Sequence, residues 1–176
     1  RLVPRVRFRG YDGQDPLSVM AQETERKFLV AGDFMSYATA AIPIAQGYLC
    51  TDPERTVRVR RTGDSAYLTI KSAPDERGWS RYEFEQPIPV DDAQELLSMC
   101  VGHRIEKVRH LVPGGDGHTW EVDVFSGANA GLTVAEIELR DADEPLTIPA
   151  WVGREVTGDA RYYNSALSTR PYAEWA

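Results

Sequence analysis

Glu23-Thr24-Glu25-Arg26-Lys27-Phe28-Leu29 sets Glu23, Glu25 and Lys27 at positions i, i+2 and i+4. In an extended chain successive side chains point to opposite faces, so these three charges share one face. The spacing returns down the chain. Arg58 and Arg60 share a face with Val57 and Val59 opposite, and the same holds for Glu83/Glu85, Lys107/Arg109, Glu121/Asp123 and Glu136/Glu138. Lys71 closes the run Tyr67-Leu68-Thr69-Ile70-Lys71. Period-two alternation between turn signals predicts strands near 23–29, 44–50, 55–61, 66–71, 79–88, 104–112, 119–125 and 132–139.

One strand of this kind usually has a solvated charged face. Such faces mix Lys, Glu, Thr, Ser and Gln freely. Here the charges come as like-sign pairs, acidic on some strands and basic on others. About eight antiparallel strands are enough to close a barrel. With the charged faces turned inward, the lumen would hold carboxylate clusters opposite cationic ones. Like charges side by side are costly unless a counter-ion joins them. The basic pairs therefore call for a polyanion and the acidic pairs for a hard divalent cation. A phosphate chain with Mg²⁺ supplies both. The same repulsion predicts that glutamine at Glu136 or Glu138 stabilises the protein without ligand.

The chain has 176 residues, enough for one domain, and is 42% hydrophobic, too apolar for a disordered polymer. No run of 18 apolar residues exists, so no membrane-spanning helix is expected. A net charge of -7 repels nucleic acid, and none is expected as a partner. Cys50 and Cys100 are too few for a disulfide scaffold. They read as small buried apolar side chains in a reducing compartment, the cytoplasm. His103, His110 and His118 have no triad context and read as surface or strand-edge residues. Trp120, Trp151, Tyr162 and Tyr163 read as packing residues. One clear helix is expected over 90–100, opened by Asp91 and Asp92. A short helix is expected over 33–40, and a third after Asp159 as its N-cap. Residues 1–19 carry no strand-like alternation and no apolar core of a signal peptide. They read as a flexible leader or tag-derived segment, with Met20 opening the domain over 20–176.

Taken in order, these motifs resemble the CYTH superfamily, the triphosphate tunnel metalloenzymes. Glu23-Thr24-Glu25-Arg26-Lys27 is an ExExK motif. Gln46-Gly47-Tyr48-Leu49, Arg55-Thr56-Val57-Arg58-Val59-Arg60, Tyr67-Leu68-Thr69-Ile70-Lys71-Ser72 and Arg81-Tyr82-Glu83-Phe84-Glu85 follow. Then come Ile105-Glu106-Lys107-Val108-Arg109-His110, Trp120-Glu121-Val122-Asp123-Val124-Phe125 and Val134-Ala135-Glu136-Ile137-Glu138-Leu139. The run Glu155-Val156-Thr157-Gly158-Asp159-Ala160-Arg161-Tyr162-Tyr163-Asn164 closes the set, which looks most like the short bacterial inorganic triphosphatases of the superfamily.

The resemblance implies a mainly β fold with a few helices: a closed eight-stranded antiparallel β-barrel forming a polar tunnel. It implies metal-dependent hydrolysis of inorganic tripolyphosphate to pyrophosphate and phosphate. Thiamine-triphosphatase, nucleoside triphosphatase and adenylate cyclase reactions on the same tunnel are the alternatives, and a non-catalytic polyphosphate-binding protein is another. Carried over by position, Glu23, Glu25, Glu136 and Glu138 are the expected ligands of Mg²⁺, or of Mn²⁺. Lys27, Arg58, Arg60, Lys71, Lys107 and Arg109 are the expected triphosphate-binding cations. Glu83, Glu85 and Asp123 match further acidic tunnel positions, and Arg161 is the basic residue expected from the C-terminal segment. Lysines among other cations have their pKa pushed down, so Lys27 and Lys107 are the candidate catalytic groups for moving a proton or steadying the leaving phosphate. A barrel with a polar lumen turns its apolar face outward, so a homodimer is expected.

Overall fold

The computed structural model describes residues 22–76, 80–141 and 143–175, and the side chains of Gln22, Glu23 and Ser80 are outside that description. The leader expected at 1–19 and the strand start expected at Trp79 lie outside the described residues. Among the described residues nine strands are present: β1 Gln22–Val30, β2 Ala40–Cys50, β3 Arg55–Thr62, β4 Ser65–Ser72, β5 Ser80–Ile88, β6 Val101–Pro113, β7 Thr119–Phe125, β8 Thr133–Leu139 and β9 Val152–Glu155. Two helices are α1, Val90–Ser98, and α2, Asn164–Thr169.

All pairings are antiparallel, in the order β5-β4-β3-β2-β6-β7-β8-β1-β9. The expected closed barrel of eight strands needs correcting. β1 meets β5 over three residue pairs alone, Gln22↔Tyr82, Glu23↔Arg81 and Thr24↔Ser80. Farther along the same edge, at Phe28 and Val30, the partner is the ninth strand β9. The sheet curls into a barrel whose hydrogen-bonded seam, among the described residues, covers one end of β1.

Three apolar clusters hold this wall. α1 lays Ala93 and Leu97 on the outer face of β3 and β4, against Val59 and Ala66. Its first turn carries Asp91 and Asp92, which suit the positive end of the helix dipole. Gly47 permits the close approach, since a Cβ there would stand 2.7 Å from Cys100 Sγ. Phe28, Trp120, Val122, Ala135, Ile137 and Trp151 pack on the opposite outer side. Ile105, Phe125 and Val134 form the third cluster with Tyr162 and Leu167, which the C-terminal segment brings in.

Several local expectations change. The helix expected over 33–40 is a single 3-10 turn, Met35–Tyr37. Asp159 does cap a helical turn, accepting the Arg161 backbone N–H, but the turn is the 3-10 segment Ala160–Tyr162 and α2 follows it. His110 is buried edge-on against Phe34 instead of lying at the surface. Cys50 and Cys100 are half-buried and free, not fully buried. No described helix is long and apolar enough to cross a membrane.

Candidate active site

The inward side chains of these strands line a cavity of about 1500 Å³. Strand parity explains which residues reach it. Arg58 and Arg60 on β3 face Tyr48 and Gln46 on β2, while Val59 between them lies on the outer cluster under α1. Glu25 and Lys27 on β1 stand opposite Glu138 and Glu136 on β8. Lys71 on β4 stands opposite Glu83 on β5. The lumen thus brings together Glu25, Lys27, Arg58, Arg60, Lys71, Lys107, Arg109, Glu136 and Glu138, as the motifs predict. Glu23 belongs to β1, but its side chain lies outside the described residues.

The charges form two networks of different tightness. On the β1-β8-β7-β6 side, Lys27 lies 3.0 Å from Glu25 and in direct contact with Glu136. Arg109 holds Asp123 with Nε and Nη2 at 2.7 Å each, reaches Glu136 at 2.9 Å, and contacts Glu121. Lys107 donates to Asp123 at 2.5 Å and to Asn164 at 3.4 Å. On the β3-β4-β5 side the arginine contacts are looser. Arg58 and Arg60 share Glu85 at 3.4 and 3.1 Å, and Thr69 bridges Arg58 to the same carboxylate. Lys71 pairs with Glu83 at 2.5 Å. The Nε atoms of Arg58 and Arg60 are buried with no hydrogen-bond partner among the described residues.

The proton affinities follow this division. Burial pulls the Arg60 guanidinium down, Arg58 beside it adds to the fall, and Glu85 restores part, leaving a pKa of about 10. Burial lowers the Lys107 ammonium, and Arg109 adds to this against the pull of Asp123. Lys27 runs the other way. Burial lowers it, but Glu136 and Glu25 outweigh that, so its pKa rises. The depressed ammonium expected of both lysines is found at Lys107 and not at Lys27. Burial would raise Glu136, yet Lys27 and Arg109 hold it well below the usual carboxylate range. Burial raises Glu121, and Glu136 and Asp123 add to that.

Among the described residues no three His, Cys, Asp or Glu side chains converge as a metal cage. The carboxylates that suit a hard divalent ion are Glu25 and Glu138, directly opposite each other on the lumen wall. Facing like charges are destabilising, and two carboxylates plus substrate oxygens and water match what Mg²⁺ accepts. Glu136 is on the same wall with its two oxygens on Lys27 and Arg109.

Several lumen residues lay outside the expected site. Arg81 on β5 and Tyr48 on β2 line the cavity, as do Tyr163 and Asn164 at the start of α2. Arg81 falls on the same strand parity as Glu83 and Glu85, which was the available signal. Tyr163 was expected to be a packing residue. Arg161, the expected C-terminal cation, instead pairs with Asp159 at 2.7 Å and lies over Trp175.

The family model for the CYTH domain matches residues 21–169. The chain belongs to the CYTH family. This CYTH chain is 46% identical to an inorganic triphosphatase of Acetivibrio thermocellus over 154 residues, 87% of this chain and 97% of the relative. An inorganic triphosphatase of Nitrosomonas europaea is 40% identical over 149 residues, 83% of this CYTH chain and 96% of that one. The crystal structure of an inorganic triphosphatase superposes with TM-score 0.59 and 36% identity, covering 83% of this chain and 93% of its own.

Proposed function

We propose that this chain is a metal-dependent inorganic triphosphatase, in which water cleaves one phosphoanhydride bond of tripolyphosphate and releases pyrophosphate and phosphate. The observation that carries the reading is the Arg58–Arg60 pair, one buried and one half-buried guanidinium that share one carboxylate and keep their buried Nε donors unpartnered among the described residues. A polyanion is the ligand that such a pair stabilises. The relatives named inorganic triphosphatase support the same substrate class.

In this reading Arg58, Arg60 and Lys71 clamp the phosphate chain from one wall, with Lys27, Lys107 and Arg109 on the other. Phosphoryl transfer depends on positioning and on neutralising charge, which six inward cations supply. Lys27 stays protonated between its two glutamates and acts by charge. Lys107, lowered by burial, is the group suited to hold or give up a proton at Nζ. Glu25 and Glu138, together with Glu23 and Glu136 of the same two motifs, would hold Mg²⁺ or Mn²⁺, which neutralises phosphate charge and activates water when bound.

The free cysteines suit the cytoplasm. Ile70, Tyr82 and Phe84 are exposed on the outer face of β4 and β5, and a second copy of the chain is the cover we propose. Light scattering of the purified protein checks that stoichiometry.

The central test is phosphate release from tripolyphosphate, pyrophosphate, ATP and thiamine triphosphate, each with and without Mg²⁺. Tripolyphosphate should be cleaved fastest, and only with metal. Tight tripolyphosphate binding without release would instead indicate a binding protein. Faster cleavage of ATP or thiamine triphosphate would reassign the substrate.

A further inference from the structure

We infer that Gln46 is a neutral phosphate-binding residue, placed where the charged lumen meets its apolar end. The inference deepens the triphosphatase reading and rests on it. Gln46 is the register partner of Arg60 on β3 and of Ile105 on β6. Arg60 lines the cavity, whereas Ile105 belongs to the apolar cluster with Phe125 and Leu167. The next residue, Gly47, faces outward onto Cys100 and Leu97, so strand alternation turns Gln46 inward with its cavity-lining neighbours Ile44 and Tyr48.

The side chain is 1% exposed, and its Nε2 has no hydrogen-bond partner among the described residues. A buried amide with unsatisfied donors is a rare and costly arrangement, and it calls for an acceptor that belongs there. Register-paired side chains have Cβ atoms about 5 Å apart. The Gln46 amide is buried beside the cavity-lining Arg60, whose guanidinium points to Glu85, and a phosphate oxygen drawn in by Arg60 would reach that amide. Neutrality matters at this position. A carboxylate would pair with Arg60 in the empty lumen and compete with the substrate, while an amide donates to phosphate without neutralising the arginine. Gln46 would thus register the phosphate next to Arg60 and mark how deep the chain enters.

Two variants of the full chain test this with tripolyphosphate as the probe. Gln46→Met has similar length and no donor. Its Tm without ligand should equal or exceed that of wild type, because an unsatisfied buried group has been removed. Its KM should rise roughly 10- to 100-fold, and the rise in Tm on adding tripolyphosphate should shrink. Gln46→Glu should raise the ligand-free Tm by pairing with Arg60 and should weaken tripolyphosphate more than Gln46→Met does. Wild-type KM and wild-type ligand-induced shift in either folded variant would overturn the assignment and leave Gln46 a packing residue. The triphosphatase reading fails separately, if the wild-type chain releases no phosphate. The ligand-induced Tm shift would still report whether Gln46 binds the anion.

Discussion

Lys27 and Glu136 are register partners across β1 and β8, and the lysine ammonium contacts the glutamate carboxylate inside the lumen while Arg109 takes its other oxygen at 2.9 Å. One carboxylate thus touches both a buried ammonium and a half-buried guanidinium. The glutamates of this wall are not equivalent, because Glu138, two residues on, faces Glu25 instead.

Glu136→Gln should destabilise the protein by about 1.5–3 kcal/mol, the usual worth of hydrogen bonds to charged groups. This reverses, for Glu136, the stabilisation that like-charge repulsion predicts from the strand pattern alone. The pH dependence has a definite sign. The folded pKa of Glu136 is depressed, so its contribution is present above the unfolded value of about 4.5 and is lost as pH falls through the folded pKa. Denaturant titrations of wild type and Glu136→Gln should show the wild-type margin shrinking on acidification. A constant margin would mean that Glu136 is not acting through its charge.

Glu138→Gln should raise the Mg²⁺ concentration needed for half-maximal rate. Excess metal should then restore much of the activity. An unchanged metal midpoint, read at saturating tripolyphosphate, would take Glu138 out of the metal site.

Arg58→Ala and Arg60→Ala should each lose roughly 10- to 150-fold in kcat/KM, the equivalent of one charge-assisted bond of about 1.5–3 kcal/mol. Neither loss should respond to added metal, because the missing contact is to the phosphate chain. Circular dichroism of each variant checks that the barrel is intact, and wild-type kinetics in both would end the clamp assignment.

EDTA should abolish phosphate release, and Mg²⁺ or Mn²⁺ should restore it. Ca²⁺, with its larger and looser oxygen shell, should support turnover poorly. Full activity in metal-free buffer would remove the metal from the reaction.

His118 should act as a pH-dependent strap at the rim of the cavity. Its Nδ1 lies 3.0 Å from Asp116 and its Nε2 3.3 Å from Glu144, which Arg140 also holds at 2.6 Å. Both ring nitrogens face carboxylates, an arrangement that wants both protonated. Asp116 and Glu144 raise the imidazole pKa above its ordinary 6.5. The contribution to stability is therefore complete below that ordinary value and is lost as pH rises through the raised one. The stability difference between wild type and His118→Gln should be largest near about pH 6 and should fade as the pH rises through the raised pKa. A difference independent of pH would mean that the imidazole packs there without charge.

The strand pattern at 23–29, 55–61, 104–112 and 132–139 was legible because side-chain alternation is local, set by the pleat of each strand whatever its partner. From that alone a β fold follows, with cations and carboxylates grouped on shared strand faces; the tunnel that those faces line was implied by the resemblance to the CYTH superfamily. Pairing is different. Lys27 and Glu136 are 109 residues apart, and which carboxylate meets which ammonium depends on the stagger between strands distant in the chain. That stagger sets Lys27 against Glu136 as well as its own-strand neighbour Glu25 and raises its pKa, while burial lowers Lys107. The short seam at Gln22–Thr24 and the added strand β9 are likewise products of how the sheet curls. Gln46 looks like an ordinary strand glutamine until its neighbours Arg60 and Ile105 arrive from β3 and β6. A residue's face is written in its own strand, whereas its electrostatic partners are chosen by elements that only folding brings together.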